Sequence, residues 1–199
     1  MKDYCWYTVK IDVANALNPS FVLPIKSSQA QLWKYPSQSV FNSDWLSYTE
    51  SLGLKFIVGL LFYKKEHNNP IIAHLDFQGN ISNITNQPAV VNFGFNWVFS
   101  GGNGSKMIWY EMPEEKTEIK WTPRKLPYME WPSSRLKFIE EHAVTDKLTL
   151  VKTGIPHAIH SITGERWCMS ARIDMPEVTS WDHIVDYLDK RNLLESRNI

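Results

Sequence analysis

The chain has only two cysteines, Cys5 and Cys168, among its 199 residues. So few cysteines imply no disulfide framework and favour a reducing compartment such as the cytoplasm. The N-terminus lacks the apolar run of a signal peptide. No stretch approaches the roughly 18 uninterrupted apolar residues of a membrane-spanning helix. We therefore expect a cytoplasmic protein with no membrane partner.

An excess of charge of one sign is also missing, because 21 basic residues balance 21 acidic ones. This balance argues against a nucleic-acid partner attracted by bulk charge. The sequence has neither internal repeats nor low-complexity segments, and its 43% hydrophobic content suffices for a sizeable core. We expect a single domain over residues 1–199, with N-terminal strands and loops at 1–40 and a core with a C-terminal helix at 41–190.

Short apolar and alternating runs dominate the sequence and predict a mainly β protein. A helix should begin at Asn42 or Ser43 and end at Gly53, and a second should follow a capping box at Thr179 and Asp182. Gly101, Gly102 and Gly104 predict a hairpin turn, and the proline-rich stretch 112–135 predicts a long irregular insert. The predicted strands are 4–12, 54–64, 71–76, 89–99, 106–111, 137–144, 148–153 and 157–174, the last folded on itself near Gly164. This number of strands, together with helices only at the flanks, favours a double-stranded β-helix of the jelly-roll or cupin type.

Two of these strands have one bulky and one small or polar face, because residues two apart in a strand point the same way. At 89–99 the phenylalanines and Trp97 share one face, while Asn92, Gly94, Asn96 and Val98 share the other. At the end of 157–174, Arg166, Cys168, Ser170 and Arg172 share a face. Burying polar groups unpaired costs about 1–3 kcal/mol each, so these faces either line a polar interior that supplies partners or contact solvent.

A His-x-Asp motif, His74-Leu75-Asp76, stands on a predicted strand, so both side chains should share a face. With a later histidine it can supply the 2-His-1-carboxylate set that suits non-haem Fe(II) oxygenases. Pro156-His157 offers that histidine, and Arg166 follows nine residues later with a planar fork suited to a carboxylate. His160 is three residues from His157, so only one of the two can join the site; His157 is preferred.

Together these motifs resemble the Fe(II)/2-oxoglutarate-dependent oxygenases, and more narrowly the prolyl-hydroxylase-like and aspartyl/asparaginyl-hydroxylase-like members common in bacteria and phage. The resemblance covers residues 41–190 and includes Ala73–Asp76, Phe95–Val98, Val151–His157 and Arg166–Ser170. It implies that His74, Asp76 and His157 hold Fe(II) and that Arg166 pairs with the distal carboxylate of 2-oxoglutarate.

The same resemblance makes Ser170, Asn96 and Tyr63 further candidates for hydrogen bonds to the cosubstrate. It implies a hydroxylase that uses O2 and acts on a peptide side chain or a small molecule. The Asp at position 76 favours hydroxylation, because related halogenases have Ala or Gly there.

Other interpretations of the same residues remain open. A non-catalytic jelly-roll module that binds carbohydrate or a structural partner would use the nine tryptophans and need no convergence of His74 and His157. A cupin-type metalloenzyme would keep the metal ligands without using 2-oxoglutarate. Glu140 and His142 form a second carboxylate–histidine pair, in a charged run.

Overall fold

A computed structural model describes residues 4–26, 30–65, 72–81, 88–90, 92–101, 104–114, 117–121, 127–160 and 162–196, and at 76–81 and 88–90 the description is confined to the backbone. The strands are β1 (Trp6–Thr8), β2 (Ala30–Pro36), β3 (Phe56–Lys65), β4 (Ile72–Ile81), β5 (Pro88–Val90), β6 (Phe93–Gly101), β7 (Lys106–Tyr110), β8 (Lys120–Trp121), β9 (Pro127–Pro132), β10 (Phe138–His142), β11 (Thr149–Lys152), β12 (His157–His160) and β13 (Glu165–Ile173). The helices are α1 (Ser37–Val40), α2 (Ser43–Ser51) and α3 (Trp181–Lys190), with a short 3-10 turn at Ser133–Arg135.

The described strands form two antiparallel sheets, which confirms the expected mainly β architecture with flanking helices. The first sheet has the order β1-β11-β6-β13-β3-β2. The second has the order β10-β7-β12-β4-β9-β8, and β5 pairs with β4 beside it. Strands that are far apart in the chain are neighbours in nested pairs: β3 with β13, β4 with β12, β6 with β11, and β7 with β10.

The outer face of the first sheet packs against the helices. Trp167 and Met169 of β13 lie in one apolar cluster with Trp45 of α2 and with Ile184 and Leu188 of α3. The α2 helix begins as expected, since the side chain of its N-cap residue Asn42 accepts a hydrogen bond from the amide of Asp44 at 2.8 Å.

The inner face of the first sheet packs against the second sheet. Val98 and Cys168 from the first sheet share a cluster with Met107 and Trp109 from the second. The Trp109 indole also donates to the carbonyl of Lys152 at 2.7 Å, which ties β7 to β11 across the two sheets. The polar face of β13 therefore points into the sandwich, and the interpretation as a solvent-exposed face is wrong.

The turn after β6 differs from the expected hairpin. β6 and β7 belong to different sheets and do not pair, although Gly101 and Gly104 adopt the positive φ angles of a turn. β12 and β13 likewise belong to different sheets, so 157–174 is not a strand folded back on itself. Local turn chemistry marks where the chain reverses, but which sheet the next strand joins depends on long-range packing.

Two further expectations were wrong in detail. The stretch 112–135 is not irregular, because it contributes β8 and β9. Residues 128–132 of β9 pair with residues 72–76 of β4. Prolines occupy both ends of β9, which a strand tolerates there. The N-cap of α3 is Ser180 rather than Thr179, because the Ser180 hydroxyl accepts a hydrogen bond from the amide of His183 at 3.3 Å.

None of the helices in the described part of the chain is long and apolar enough to cross a bilayer.

Candidate metal centre

The two histidines preferred as metal ligands lie side by side. β4 and β12 are neighbours, and His74 stands directly opposite His157 in their register. The two ring centroids are 4.4 Å apart, with the rings tilted by 56°. His157 also stands opposite Trp109, whose side chain faces the first sheet, so both imidazoles lie on the inner face of the second sheet.

The local environment of His157 favours one tautomer. Its side chain is buried, and Nδ1 lies 3.0 Å from the carbonyl oxygen of Ile155. Because a carbonyl oxygen only accepts hydrogen bonds, Nδ1 carries the proton and the lone pair sits on Nε2. A backbone carbonyl that orients a histidine through its other nitrogen is a usual support for a metal ligand.

The register also separates His157 from His160. His160 stands opposite Lys106, three positions along β12 from His157, so the two histidines point to opposite faces. His157 is thus the one that shares a face with His74. The competing pair is engaged elsewhere, since the His142 ring stacks on Trp6 and Glu140 accepts from the amide of Cys5 at 2.8 Å.

The third predicted ligand, Asp76, lies two positions after His74 on β4, where its backbone pairs with Tyr128. Its side chain lies outside the described part of the structure. Among the side chains that are described, no three of the His, Cys, Asp or Glu type are grouped closely enough to hold a metal. The structure therefore brings together two of the three predicted ligands and leaves the third as a prediction.

Arg166 is a buried cation near the start of β13. Only 4% of its surface is exposed, and its Nε donates to the hydroxyl of Ser105 at 3.1 Å. Among the ion pairs of the described residues, none involves Arg166. Buried arginines normally pair with an anion, because an isolated buried charge is costly. An arginine in this state fits an external carboxylate.

Ser170 and Asn96 are cross-strand neighbours on the same inner face as Arg166. Ser170 is buried, and the side-chain oxygen of Asn96 is buried with no hydrogen-bond partner among the described residues. Leaving a buried polar atom unsatisfied costs about 1–3 kcal/mol. Flipping the amide would present an N–H donor at the same place, so Asn96 can serve either a donor or an acceptor on a ligand.

Tyr63 is not brought to the other candidates. It stands opposite Trp167, whose side chain belongs to the outer cluster of the first sheet, and the two rings are 4.8 Å apart. Its hydroxyl donates to Glu165 at 3.0 Å. Burial, followed by this hydrogen bond, raises the pKa of Tyr63. The expectation that Tyr63 helps to bind a ligand beside Arg166 therefore finds no support in the fold.

Two charged residues outside the predicted set lie beside these candidates. Lys64 stands opposite Arg166 across β3 and β13, and Glu130 of β9 stands opposite His74. Glu130 forms an ion pair with Lys120 of β8. Lys64 lies two residues after Phe62, so the alternation along β3 predicts that both side chains share a face. The sequence alone does not tell which face of β3 points inward, and Lys64 could therefore not be identified from it.

No family model, curated protein or solved structure matches this chain.

Proposed function

We propose that the protein is a non-haem Fe(II)- and 2-oxoglutarate-dependent dioxygenase that hydroxylates a peptide side chain or a small molecule. The observation that carries this proposal is the juxtaposition of His74 and His157, distant in the chain yet opposite each other in register with rings 4.4 Å apart. Two imidazoles at this separation on an inner face suit a shared metal ion.

The order of the strands supports a double-stranded β-helix. The nested pairs β3–β13, β4–β12, β6–β11 and β7–β10 are those of one long hairpin, and its strands alternate between the two sheets as they would if the hairpin were rolled up. Rolling of this kind produces a jelly roll. In such a fold the inner face carries the functional side chains, and here it carries His74, His157 and Arg166.

Different residues of this chain would bind the metal and the cosubstrate. His74, His157 and Asp76 would supply the 2-His-1-carboxylate set that holds the metal. Arg166 binds the distal carboxylate of 2-oxoglutarate, with Ser170 and Asn96 contributing hydrogen bonds beside it. Burial of Arg166 and Ser170 keeps water away from that end of the cosubstrate. When bound, iron, 2-oxoglutarate and O2 would supply the oxidising chemistry, with succinate and carbon dioxide released.

The β8–β9 segment would form one wall of the substrate opening. β9 extends the second sheet next to the strand that carries His74 and Asp76, and β8 flanks it. Glu130 and Lys120 therefore lie beside the proposed metal centre as a charged pair. A peptide or a polar small molecule would meet this pair when it approaches the metal.

We expect purified protein to convert 2-oxoglutarate to succinate in an Fe(II)-dependent manner. His74→Ala and His157→Ala should each lower the rate by more than about 100-fold, a larger loss than removal of an outer partner of a metal ligand. Both variants should also lose affinity for Mn(II), which calorimetric titration measures without turnover.

His160→Ala is the matched control, because His160 lies on the same strand as His157 but on the opposite face. It should keep both succinate formation and Mn(II) binding. If wild-type protein binds no divalent metal and forms no succinate, the non-catalytic binding module becomes the better interpretation. If wild-type protein binds the metal but does not convert 2-oxoglutarate to succinate, a cupin-type metalloenzyme is favoured.

A further inference from the structure

Two cations stand directly opposite each other on the inner face of the first sheet. Lys64 of β3 is the register partner of Arg166 of β13, so the two side chains project to the same side. Arg166 is buried and Lys64 is half-buried. The inward direction is set by Cys168, two residues after Arg166, which packs against the second sheet.

Neither cation has an acidic partner in the described part of the chain. The ion pairs there involve other lysines: Lys26, Lys106, Lys120, Lys137, Lys147 and Lys190. Burial and, after it, the positive charge of Arg166 lower the pKa of Lys64. Like charges placed opposite each other destabilise a sheet, so this pair weakens the ligand-free protein.

We propose that Lys64 and Arg166 together bind the distal carboxylate of 2-oxoglutarate, each cation contacting one of its oxygens. This inference rests on the proposed function, in which Arg166 is the one cation assigned to that carboxylate. One anion between the two cations replaces their mutual repulsion by two charge-assisted hydrogen bonds. Ser105 already occupies Nε of Arg166, which leaves the N–H groups at the guanidinium tip for the ligand.

The neighbouring Lys65 provides a matched control. It follows Lys64 on the same strand, is exposed, and stands opposite Glu165 rather than Arg166. Its side chain projects to the other face of the sheet because neighbours in a strand alternate. A change at Lys65 removes the same charge from the protein without touching the inner face.

The test is calorimetric titration of Mn(II)-loaded protein with 2-oxoglutarate and, separately, with pyruvate, which has the keto-acid end but no distal carboxylate. Lys64→Met should weaken 2-oxoglutarate binding by about 10- to 100-fold, the range expected for one hydrogen bond between charged groups. Pyruvate affinity should be unchanged. Lys65→Met should bind both compounds as wild type does, and Lys64→Arg should recover most of the affinity for 2-oxoglutarate.

The outcomes separate the two proposals. Wild-type affinity for 2-oxoglutarate in Lys64→Met would overturn the role of Lys64 and leave the dioxygenase proposal standing. An equal loss of pyruvate and 2-oxoglutarate affinity in Lys64→Met would also overturn it, because the variant would then disturb the whole site. Failure of wild-type protein to bind either compound would overturn the proposed function and with it the ligand assigned to Lys64.

Discussion

At the scale of single residues, the inner face of the first sheet holds polar groups whose needs the described protein atoms do not meet. Arg166 is buried without an anion, and the Asn96 oxygen is buried without a donor. Each such group destabilises the ligand-free fold. Functional sites commonly retain costs of this kind, since activity and stability make opposing demands. The position of these groups on one face favours the proposed binding of a dicarboxylate there.

Lys64→Met should therefore stabilise the ligand-free protein. Methionine keeps the length of the side chain and removes a half-buried charge that faces Arg166. We expect the free energy of unfolding at neutral pH to rise by about 1 kcal/mol. Urea denaturation of the two proteins measures this difference, and a less stable variant would contradict the electrostatic account.

The pH dependence of that difference has a definite sign. The pKa of Lys64 in the folded protein lies below its ordinary value of 10.5, so between the two values the unfolded chain binds more protons. The charged form of Lys64 destabilises the folded protein. This destabilisation disappears as the pH rises through the folded pKa towards 10.5, because Lys64 then loses its proton. The advantage of Lys64→Met should shrink over this range, which urea denaturation at a series of alkaline pH values would show.

At the scale of elements, α3 covers the outer face of the first sheet. Its stripe of Trp181, Ile184, Val185 and Leu188 is buried, and the spacing of these residues places them on one side of a helix. Its first turn is capped one residue later than expected, because the hydroxyl that reaches a free amide belongs to Ser180. Such a difference is small in sequence, and several neighbouring residues have side chains able to cap a helix.

Leu188→Ala should destabilise the protein by about 2–5 kcal/mol, because the leucine is fully buried against the first sheet and its removal leaves a cavity. Thermal unfolding followed by circular dichroism measures the loss. Asp189→Ala, at the next and exposed position of α3, should change stability by less than about 0.5 kcal/mol. Equal effects of the two changes would mean that α3 does not pack on the sheet as described.

At the scale of the whole molecule, the two sheets meet through a mixed inner surface. Its apolar part includes Val98, Cys168, Met107 and Trp109, and its polar part carries the proposed site. The Trp109 indole bridges the sheets by its hydrogen bond to Lys152, and the same tryptophan is the register partner of His157. Packing between the sheets and placement of the proposed metal ligand are therefore coupled.

Trp109→Phe should lower the free energy of unfolding by about 1–3 kcal/mol, since it removes the bridging hydrogen bond and part of a fully buried ring. Denaturant titration measures the change. Trp121→Phe provides the comparison, because Trp121 is half-exposed at the end of β8 and its replacement should be nearly neutral. A neutral Trp109→Phe would show that the sheets do not depend on this bridge.

The sequence by itself determined which residues share a face and where most elements lie. The alternation in β6 and β13 separated the aromatic side from the small and polar side, and the structure has the same division. It also limited the second histidine to either His157 or His160. These features depend on periodicity and turn chemistry, which are properties of a few consecutive residues.

Only the tertiary structure decided which strands are neighbours and which face of each looks inward. It brought His157 next to His74, put Tyr63 on the outer face, and set Lys64 beside Arg166. It also placed β6 and β7 in different sheets, although the glycines between them predict a hairpin. The physical reason is that alternation relates residues within one strand, whereas the partner strand and the buried face follow from packing between segments far apart in the chain.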